Sequence, residues 1–491
     1  PTEPSMVLFG RKVPLFLKKF RITSRVVNLL PSSDDPTSLT IHSNLRSSTI
    51  LTMPFRPILV LGAGRSSGYL IRYLAQHSAV LECELIVADQ DLDHAQAKIE
   101  GLPNCRAVAL DPLAQPEILD ALVKESVVVI SLLPVSLHMQ VAMSCLKNKV
   151  SLFTASYQSG EMEALAPDIK ANGLLFLNEC GCDPGLDHMT ALQIMDRLRD
   201  AGHSILSYEG YTGGLVAPVS DDNPWHYKFS WNPRNVVLAG QSGPAVYWQN
   251  NQIEIIPYPR LFRAVQPLEL TGHRDLVGYF NRNSLPYRAL YGLEQADTVI
   301  RGTLRHRDFC LAWFPLAYLG LNVDTNLPKE PLKWPTATEL TKILDEELHY
   351  SLEETQKVIE LWAFLGFWDP AFVDAYATNP AQNLEQRMVE RMSLGAMDRD
   401  MVVMCHRIRS KDHDGRVVDH RSELVLEGEG GENSAMAQTV GWPLAMAVEC
   451  YLKGQVQETG LQRPLAPHWY QPILKGLDAL GITCWETQVM P

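Results

Sequence analysis

An α/β fold built on a doubly wound parallel sheet is what the sequence predicts, and three observations carry that prediction. An apolar, β-branched run at residues 57–61 ends in a glycine-rich turn and enters a helical pattern at 69–75. Strand patterns then recur at 83–88, 106–110, 127–133 and 150–154 with helical patterns between them, the alternation that lays strands side by side in parallel. The chain has 491 residues, 46% hydrophobic and 20% charged, enough apolar surface for two or three domains with real cores and too much for a disordered chain.

Charge and cysteine usage exclude several classes. Lysine and arginine total 43 against 56 acids, a net charge of −13 with no run of four basic residues, so neither nucleic acid nor an anionic membrane is expected as a partner. No apolar stretch reaches the roughly 18 residues that a membrane-crossing helix needs. The nine cysteines are scattered, with only a CxC at Cys180 and Cys182, which predicts a reduced, cytoplasmic setting and no structural zinc. Residues 1–52 differ from the rest: seven basic residues (Arg11, Lys12, Lys18, Lys19, Arg21, Arg25, Arg46) stand against three acids amid many Ser and Thr. They read as an extension outside the fold, or as an organellar transit segment, in which case the compartment is an organellar matrix.

The first element is PILVLGAGRSSG, residues 57–68. Gly62 permits a tight turn, Gly64 lets the backbone approach a pyrophosphate, and the following helix presents free N–H groups to it, with Arg65 and Ser66 alongside. The glycine spacing is GxGxxxG, one place longer than the strict fingerprint. The next strand, Cys83 to Ala88, ends at Asp89, whose carboxylate can accept both ribose hydroxyls of NAD and repels a 2′-phosphate; Arg65 could instead accommodate that phosphate, so the cofactor is NAD or NADP with NAD favoured. A strand from Arg106 to Leu110 ends at Asp111, and Val127 to Leu133 ends at Pro134, which places Asp111, Ser131, Leu133 and Pro134 at the carboxyl edge where ligands bind in open α/β sheets. Helices at Pro116 to Lys124 and Met139 to Lys147, then a strand from Val150 to Thr154, continue the alternation.

Further on stand SLLP (131–134), ASY (155–157), ECGCDPGLDH (179–188), GGLVAP (213–218), DNPWHYKFSW (222–231) with Arg234, and TVGWP (439–443). In this order and from about residue 57 to the end, the chain resembles the saccharopine dehydrogenase family, specifically its glutamate-forming saccharopine reductases. The resemblance implies a Rossmann domain at 53–178, an inserted mixed α/β substrate domain at 179–330, a small helical insertion at 331–400, a return to the substrate domain at 401–433 and to the Rossmann domain at 434–491. The sequence supports the helical part independently, through apolar positions Leu340, Ile343, Leu344 and Leu348 and a capping box from Ser351 to Glu354. Residues 401–427 read as two strands around a turn at Asp412 to Gly415.

The activity implied is oxidation of the secondary amine of saccharopine to glutamate and aminoadipate semialdehyde, a small-molecule amino-acid reaction of lysine metabolism. By carry-over the catalytic neighbourhood falls on Tyr157, Asp183 and Thr212, with Ser156 on the substrate; relatives commonly have Cys at the position of Thr212, and Thr does not ionise near neutral pH. Asp183 is the expected proton relay, against a plain helix-capping role. Substrate carboxylates call for the planar fork of an arginine, and Arg234 is the expected anchor with Lys228 second, against surface ion pairs. Two rival readings stay open: a carboxynorspermidine-type dehydrogenase, and a dinucleotide-binding regulator without chemistry. A homodimer is compatible with the sequence.

Overall fold

The computed structural model describes residues 56–241, 243–326, 334–369 and 379–489; residues 1–52 and the start of the Rossmann domain expected at Met53 lie outside them. Among the described residues seven parallel strands form the first sheet, the first six of them being β1 (Arg56–Leu61), β2 (Cys83–Asp89), β3 (Cys105–Ala109), β4 (Val128–Ser131), β5 (Ser151–Thr154) and β6 (Leu175–Leu177), in the spatial order β6-β5-β4-β1-β2-β3. The alternating side chains of β1 explain why it reads as an unbroken apolar run. Ile58 and Val60 enter one core while Leu59 and Leu61 enter another on the opposite face, as a central strand covered by helices on both sides requires. Register brings Leu61 beside Ala88 and Ser131, and Ser131 beside Thr154, so the chain leaves all four strands along one rim.

The second sheet is mixed. It contains β7 (Ser204–Val216), β8 (Ala245–Gln249), β9 (Gln252–Ile256), β10 (Gln266–Pro267), β11 (Leu276–Phe280), β12 (Thr298–His306), β13 (Asp400–Lys411) and β14 (Val417–Glu427). β13 and β14 form the expected hairpin, closed by Asp412 and by Gly415 at φ +84. Between β12 and β13 the helical insertion holds Ala337–Lys342, Leu352–Phe364 and Pro380–Met392, and the Ser351–Glu354 capping box is formed. The C-terminal stretch divides where the sequence reading kept it whole. β15 (Gly460–Gln462) joins the first sheet beyond β6, whereas β16 (Trp485–Val489) pairs with β14 at the edge of the second sheet.

One apolar cluster unites the two sheets. It runs from Ile58, Leu70 and Leu175 through Met189, Ile194 and Met195 to Tyr208, Val402 and Leu444. The helix Leu186–Asp200 therefore buries residues all around its circumference, which explains why its sequence shows little one-sided amphipathicity. The helix Ala435–Leu452 is anchored to the second sheet at its start, where Asp400 on β13 accepts the N–H groups of Ala435 (2.6 Å) and Met436 (2.9 Å). Gly441 within it meets the first sheet's leading helix, Gly68–His77: a Cβ there would lie 2.8 Å from the Leu70 amide nitrogen.

Candidate active site

The glycine turn sits at the rim. Gly62 adopts φ +101, and a Cβ on it would stand 3.0 Å from the Leu132 carbonyl, so only glycine lets the turn pass against the end of β4. Gly64 is exposed with nothing within 4 Å of where its Cβ would be, which leaves its backbone approachable from solvent. Asp89 lies at the mouth of the turn: one carboxylate oxygen accepts the Ala63 N–H at 2.7 Å and the other the Asp91 N–H at 3.0 Å. A close-approach glycine, an open glycine, a helix N-terminus and a fixed carboxylate at the end of β2 fit a dinucleotide. Ser66 is half-buried, and its carbonyl faces Gly441. Arg65 reaches away from the turn and donates to the Phe229 carbonyl at 2.9 Å, tying the turn to the DNPWHYKFSW segment. Asp111 closes its own turn by accepting from Leu113 and Ala114, at 2.9 and 3.1 Å. Leu133 and Pro134 are partly exposed where β4 ends, and Ser131 is buried one turn behind them.

Across the rim, Tyr157 follows β5 and Asp183 follows β6. The Tyr157 hydroxyl donates to Asp183 Oδ1 at 2.8 Å, and Arg301 on β12 donates to the same oxygen at 2.8 Å and to Asp187 at 2.6 Å. Burial lifts the Tyr157 hydroxyl well above the ordinary tyrosine range, so it keeps its proton and acts as donor. Asp183 and Asp187 share one guanidinium and split. Burial and the neighbouring Asp187 charge raise Asp183, while burial of Asp187 is outweighed by His188, Arg301 and the Gly185 N–H, which lower it. Of the two carboxylates pushed apart in this way, Asp183 is the stronger proton acceptor.

Glu179, which starts the ECGCDPGLDH segment, holds this group from behind. It accepts from the Gln158 N–H (3.1 Å), Tyr287 (3.2 Å) and Arg463 (2.7 Å), and lies 3.0 Å from His188 Nε2. Burial works to raise its carboxyl, but His188 and Arg463 prevail and hold it down to about 2. His188 is thus a buried link, bonded on its other side to Tyr291 at 2.5 Å.

On β12 the alternation of side chains puts Arg301, Thr303 and Arg305 on one face. Thr212, buried on β7, stands in register with Thr303. Arg305 is 3% exposed, its guanidinium 5.2 Å from the Tyr227 ring centroid and 5.6 Å from that of Phe309. Among the described residues it donates only to the adjacent Leu304 carbonyl (2.7 Å), its Nε has no partner and no carboxylate pairs with it. Ser230 Oγ is likewise buried without a partner. Arg282, exposed, places its guanidinium 4.9 Å from the Tyr157 ring centroid and pairs with no carboxylate among the described residues.

The two cations expected on substrate are each paired with carboxylates of the chain. Arg234 forks to Asp324 and, at 3.1 Å, to Glu385 on the helix Pro380–Met392, and Lys228 is held between Asp222 (2.8 Å) and Asp398 (2.7 Å). Both pin the 222–234 segment to its surroundings. Sequence reasoning passed over Arg282, Arg301, Arg305 and Glu179. The signal for two of them was present: arginines four apart in the strand TVIRGTLR share a face, in a run that is otherwise apolar or small. Among the described residues one group has metal-ligand spacing, His226, His306 and Asp308. Each already has a partner: His226 Nδ1 is bonded to Asp221 at 2.6 Å, His306 Nδ1 accepts the Asp308 N–H at 3.3 Å, and the Lys357 ammonium lies 3.7 Å from Asp308.

Comparison with known proteins agrees with this geometry over both sheets. Residues 58–177 match the saccharopine dehydrogenase NADP binding domain, and residues 181–482 match the saccharopine dehydrogenase C-terminal domain. The saccharopine dehydrogenase [NADP(+), L-glutamate-forming] of Saccharomyces cerevisiae is 33% identical over 448 residues, 88% of this chain and 99% of that protein. The mitochondrial alpha-aminoadipic semialdehyde synthase of Bos taurus is 32% identical over 442 residues, 87% of this chain but 47% of the synthase, so the chain spans about half the length of that relative. A solved structure of the apo, histidine-tagged S. cerevisiae saccharopine dehydrogenase (L-Glu forming) superposes with a TM-score of 0.76 at 32% identity, covering 88% of this chain and 100% of that one. With the glycine turn in the first matched domain and the Tyr157–Asp183–Arg301 group spanning the junction to the second, the chain belongs to the saccharopine dehydrogenase family.

Proposed function

We propose that this chain oxidises saccharopine at its secondary-amine carbon–nitrogen bond, giving glutamate and aminoadipate semialdehyde, with NAD as the preferred acceptor. The observation that carries the reading is the carboxylate Asp183, raised by burial and by Asp187 and held by Tyr157 and Arg301, together with two guanidiniums that pair with no carboxylate among the described residues, Arg282 beside the Tyr157 ring and Arg305 farther along the strand of Arg301. A buried, unpaired cation is costly, so Arg305 calls for an anion from outside the chain. Arg301 and Arg305 are four residues apart on one strand, roughly 13 Å at the usual rise. Saccharopine carries carboxylates at both ends of an extended chain, whereas a polyamine would be repelled by the same cations. Arg282 and Arg305 therefore replace Arg234 and Lys228 as the carboxylate anchors.

When bound, the nicotinamide accepts the hydride. The chain's residues do the rest. Hydride cannot leave carbon beside a protonated ammonium, so the amine must first lose its proton, and Asp183, whose basicity burial and the Asp187 charge raise, takes it. Tyr157 and Arg301, both bonded to Asp183 Oδ1, orient that carboxylate, and Arg301 stabilises it once ionised. Once Asp183 has released that first proton to solvent, the regenerated carboxylate accepts a proton from the water that adds to the imine carbon and returns it to the departing nitrogen. Thr212 serves as a hydrogen-bonding neighbour and takes no part in proton transfer. Asp89, fixed by the Ala63 and Asp91 N–H groups, favours ribose hydroxyls over a 2′-phosphate. Purified protein supplied with saccharopine and NAD is expected to raise reduced-nicotinamide absorbance in step with glutamate, with a lower kcat/KM for NADP. Silence with both cofactors, or turnover of carboxynorspermidine instead, overturns the substrate assignment, and a higher kcat/KM with NADP overturns the role given to Asp89.

A further inference from the structure

Behind the rim a buried imidazole joins the two halves of the site. His138, the first residue of the helix His138–Asn148, lies with Nδ1 2.9 Å from Ser131 Oγ and Nε2 2.7 Å from Ser156 Oγ. Ser131 closes β4 at the dinucleotide edge, and Ser156 immediately precedes Tyr157. Burial pushes the imidazole down to about 4, so it is neutral at working pH and carries one N–H and one lone pair. A neutral ring between two hydroxyls gives the chain a direction: one serine must donate to it and the other accept from it.

The neighbouring chemistry selects the direction. Tyr157 already spends its proton on Asp183, so Ser156 is the hydroxyl on this loop left to meet a substrate carboxylate, which accepts hydrogen bonds and offers none. Ser156 can donate outward while still accepting from the ring only if Nε2 bears the proton. Nδ1 then accepts from the Ser131 hydroxyl, and the Ser131 lone pairs are left to receive an N–H at the dinucleotide edge. We propose that His138 is a positioning residue that polarises a Ser131–His138–Ser156 chain toward the substrate, so that Ser156 is held as a donor to an amino-acid carboxylate. This rests on the saccharopine reading for the identity of the carboxylate, and the direction of the chain can be read without any turnover.

The test combines a spectroscopic and a kinetic arm. In protein labelled with ¹⁵N-histidine, His138 should show the Nε2–H tautomer and no titration from about pH 6 to 9; an Nδ1–H tautomer, or a midpoint near that of a free imidazole, overturns the proposal whether or not saccharopine proves to be the substrate. His138→Phe, which keeps an aromatic ring and removes both bonds, should raise the saccharopine KM about tenfold while the NAD dissociation constant changes less than about twofold, the size of one lost polar contact. His138→Gln, which keeps one donor, should recover part of that loss, and Ser156→Ala should add little in the His138→Phe background. An unchanged KM in a folded His138→Phe protein overturns the proposal, as do fully additive effects. Should His138→Phe fail to fold, the tautomer measurement on the unaltered protein and the His138→Gln kinetics decide.

Discussion

Arg301 and Arg305 lie four residues apart on the same strand face, yet their electrostatic situations are opposite. Arg301 meets two carboxylates within 2.8 Å, whereas Arg305 is sealed between aromatic rings with its Nε unbonded. A buried cation with no counter-charge lowers the stability of the free protein, and its retention makes sense if a ligand supplies the missing charge. Arg305→Met should therefore raise the urea midpoint of the ligand-free protein while raising the saccharopine KM about 10–100-fold, the range for losing a charged hydrogen bond; a variant less stable than its parent would show that Arg305 serves packing. Asp183→Asn makes the complementary case. Asn keeps the shape and can still accept from Tyr157 and Arg301, but it takes no proton, so kcat should fall about 10²–10⁴-fold with a small change in KM. The charged partners of Arg234 and Lys228, Asp222 apart, could not be read from the sequence around them. Asp324, Glu385 and Asp398 are 90 to 170 positions away in the chain, and nothing local marks an arginine as already paired.

Between elements, the legible parts were those decided locally. The glycine turn, the strand ending at Asp89, the Ser351 capping box and the hairpin at Asp412–Gly415 are each specified by residues within a few positions of one another, as is the fourth strand, expected over 127–133 and formed over Val128–Ser131. What escaped was contact between distant elements, including the departure of β16 from the first sheet and the meeting of the helix Ala435–Leu452 with the glycine turn. The TVGWP motif acquires its meaning from that meeting. Gly441 lets two helices approach until a Cβ would be 2.8 Å from the Leu70 nitrogen and 3.4 Å from the Ser66 carbonyl. Gly441→Ala should gain a few tenths to 1 kcal/mol of helix propensity but lose about 1–3 kcal/mol to overpacking against backbone, which cannot yield as a side chain would. The overpacking prevails, and because the displaced backbone leads straight into the dinucleotide turn, NAD affinity should fall together with the urea midpoint. Full NAD affinity in a destabilised Gly441→Ala protein would separate the helix contact from the turn.

At the scale of the whole molecule, the core shared by the two sheets makes acid sensitivity a global property. His406 on β13 is buried in this shared region, bonded to Thr190 at 2.8 Å and facing Tyr208 at 3.3 Å, and burial pushes it down to about 4, as it does His138 at the start of its helix. A histidine depressed on folding contributes stability that is complete above its unfolded value near 6.5 and drains away as the pH falls toward 4. Each site loses on the order of 3 kcal/mol across that window. Glu179, held down to about 2, acts in the same sense at lower pH: its contribution is present above the unfolded carboxylate range and is lost as the pH falls through about 2. Asp183, raised on folding, opposes both, since its protonation is favoured by the fold. Urea unfolding measured against pH should therefore show a decline below about 6.5 to which His138 and His406 each contribute up to about one proton in slope. His406→Gln keeps a polar group toward Thr190 and removes the titration, so it should cut that slope by about one proton, or roughly 1.4 kcal/mol per pH unit. Identical slopes in the two proteins would mean that His406 is charged in the native state, with the two sheets parting locally to hydrate it.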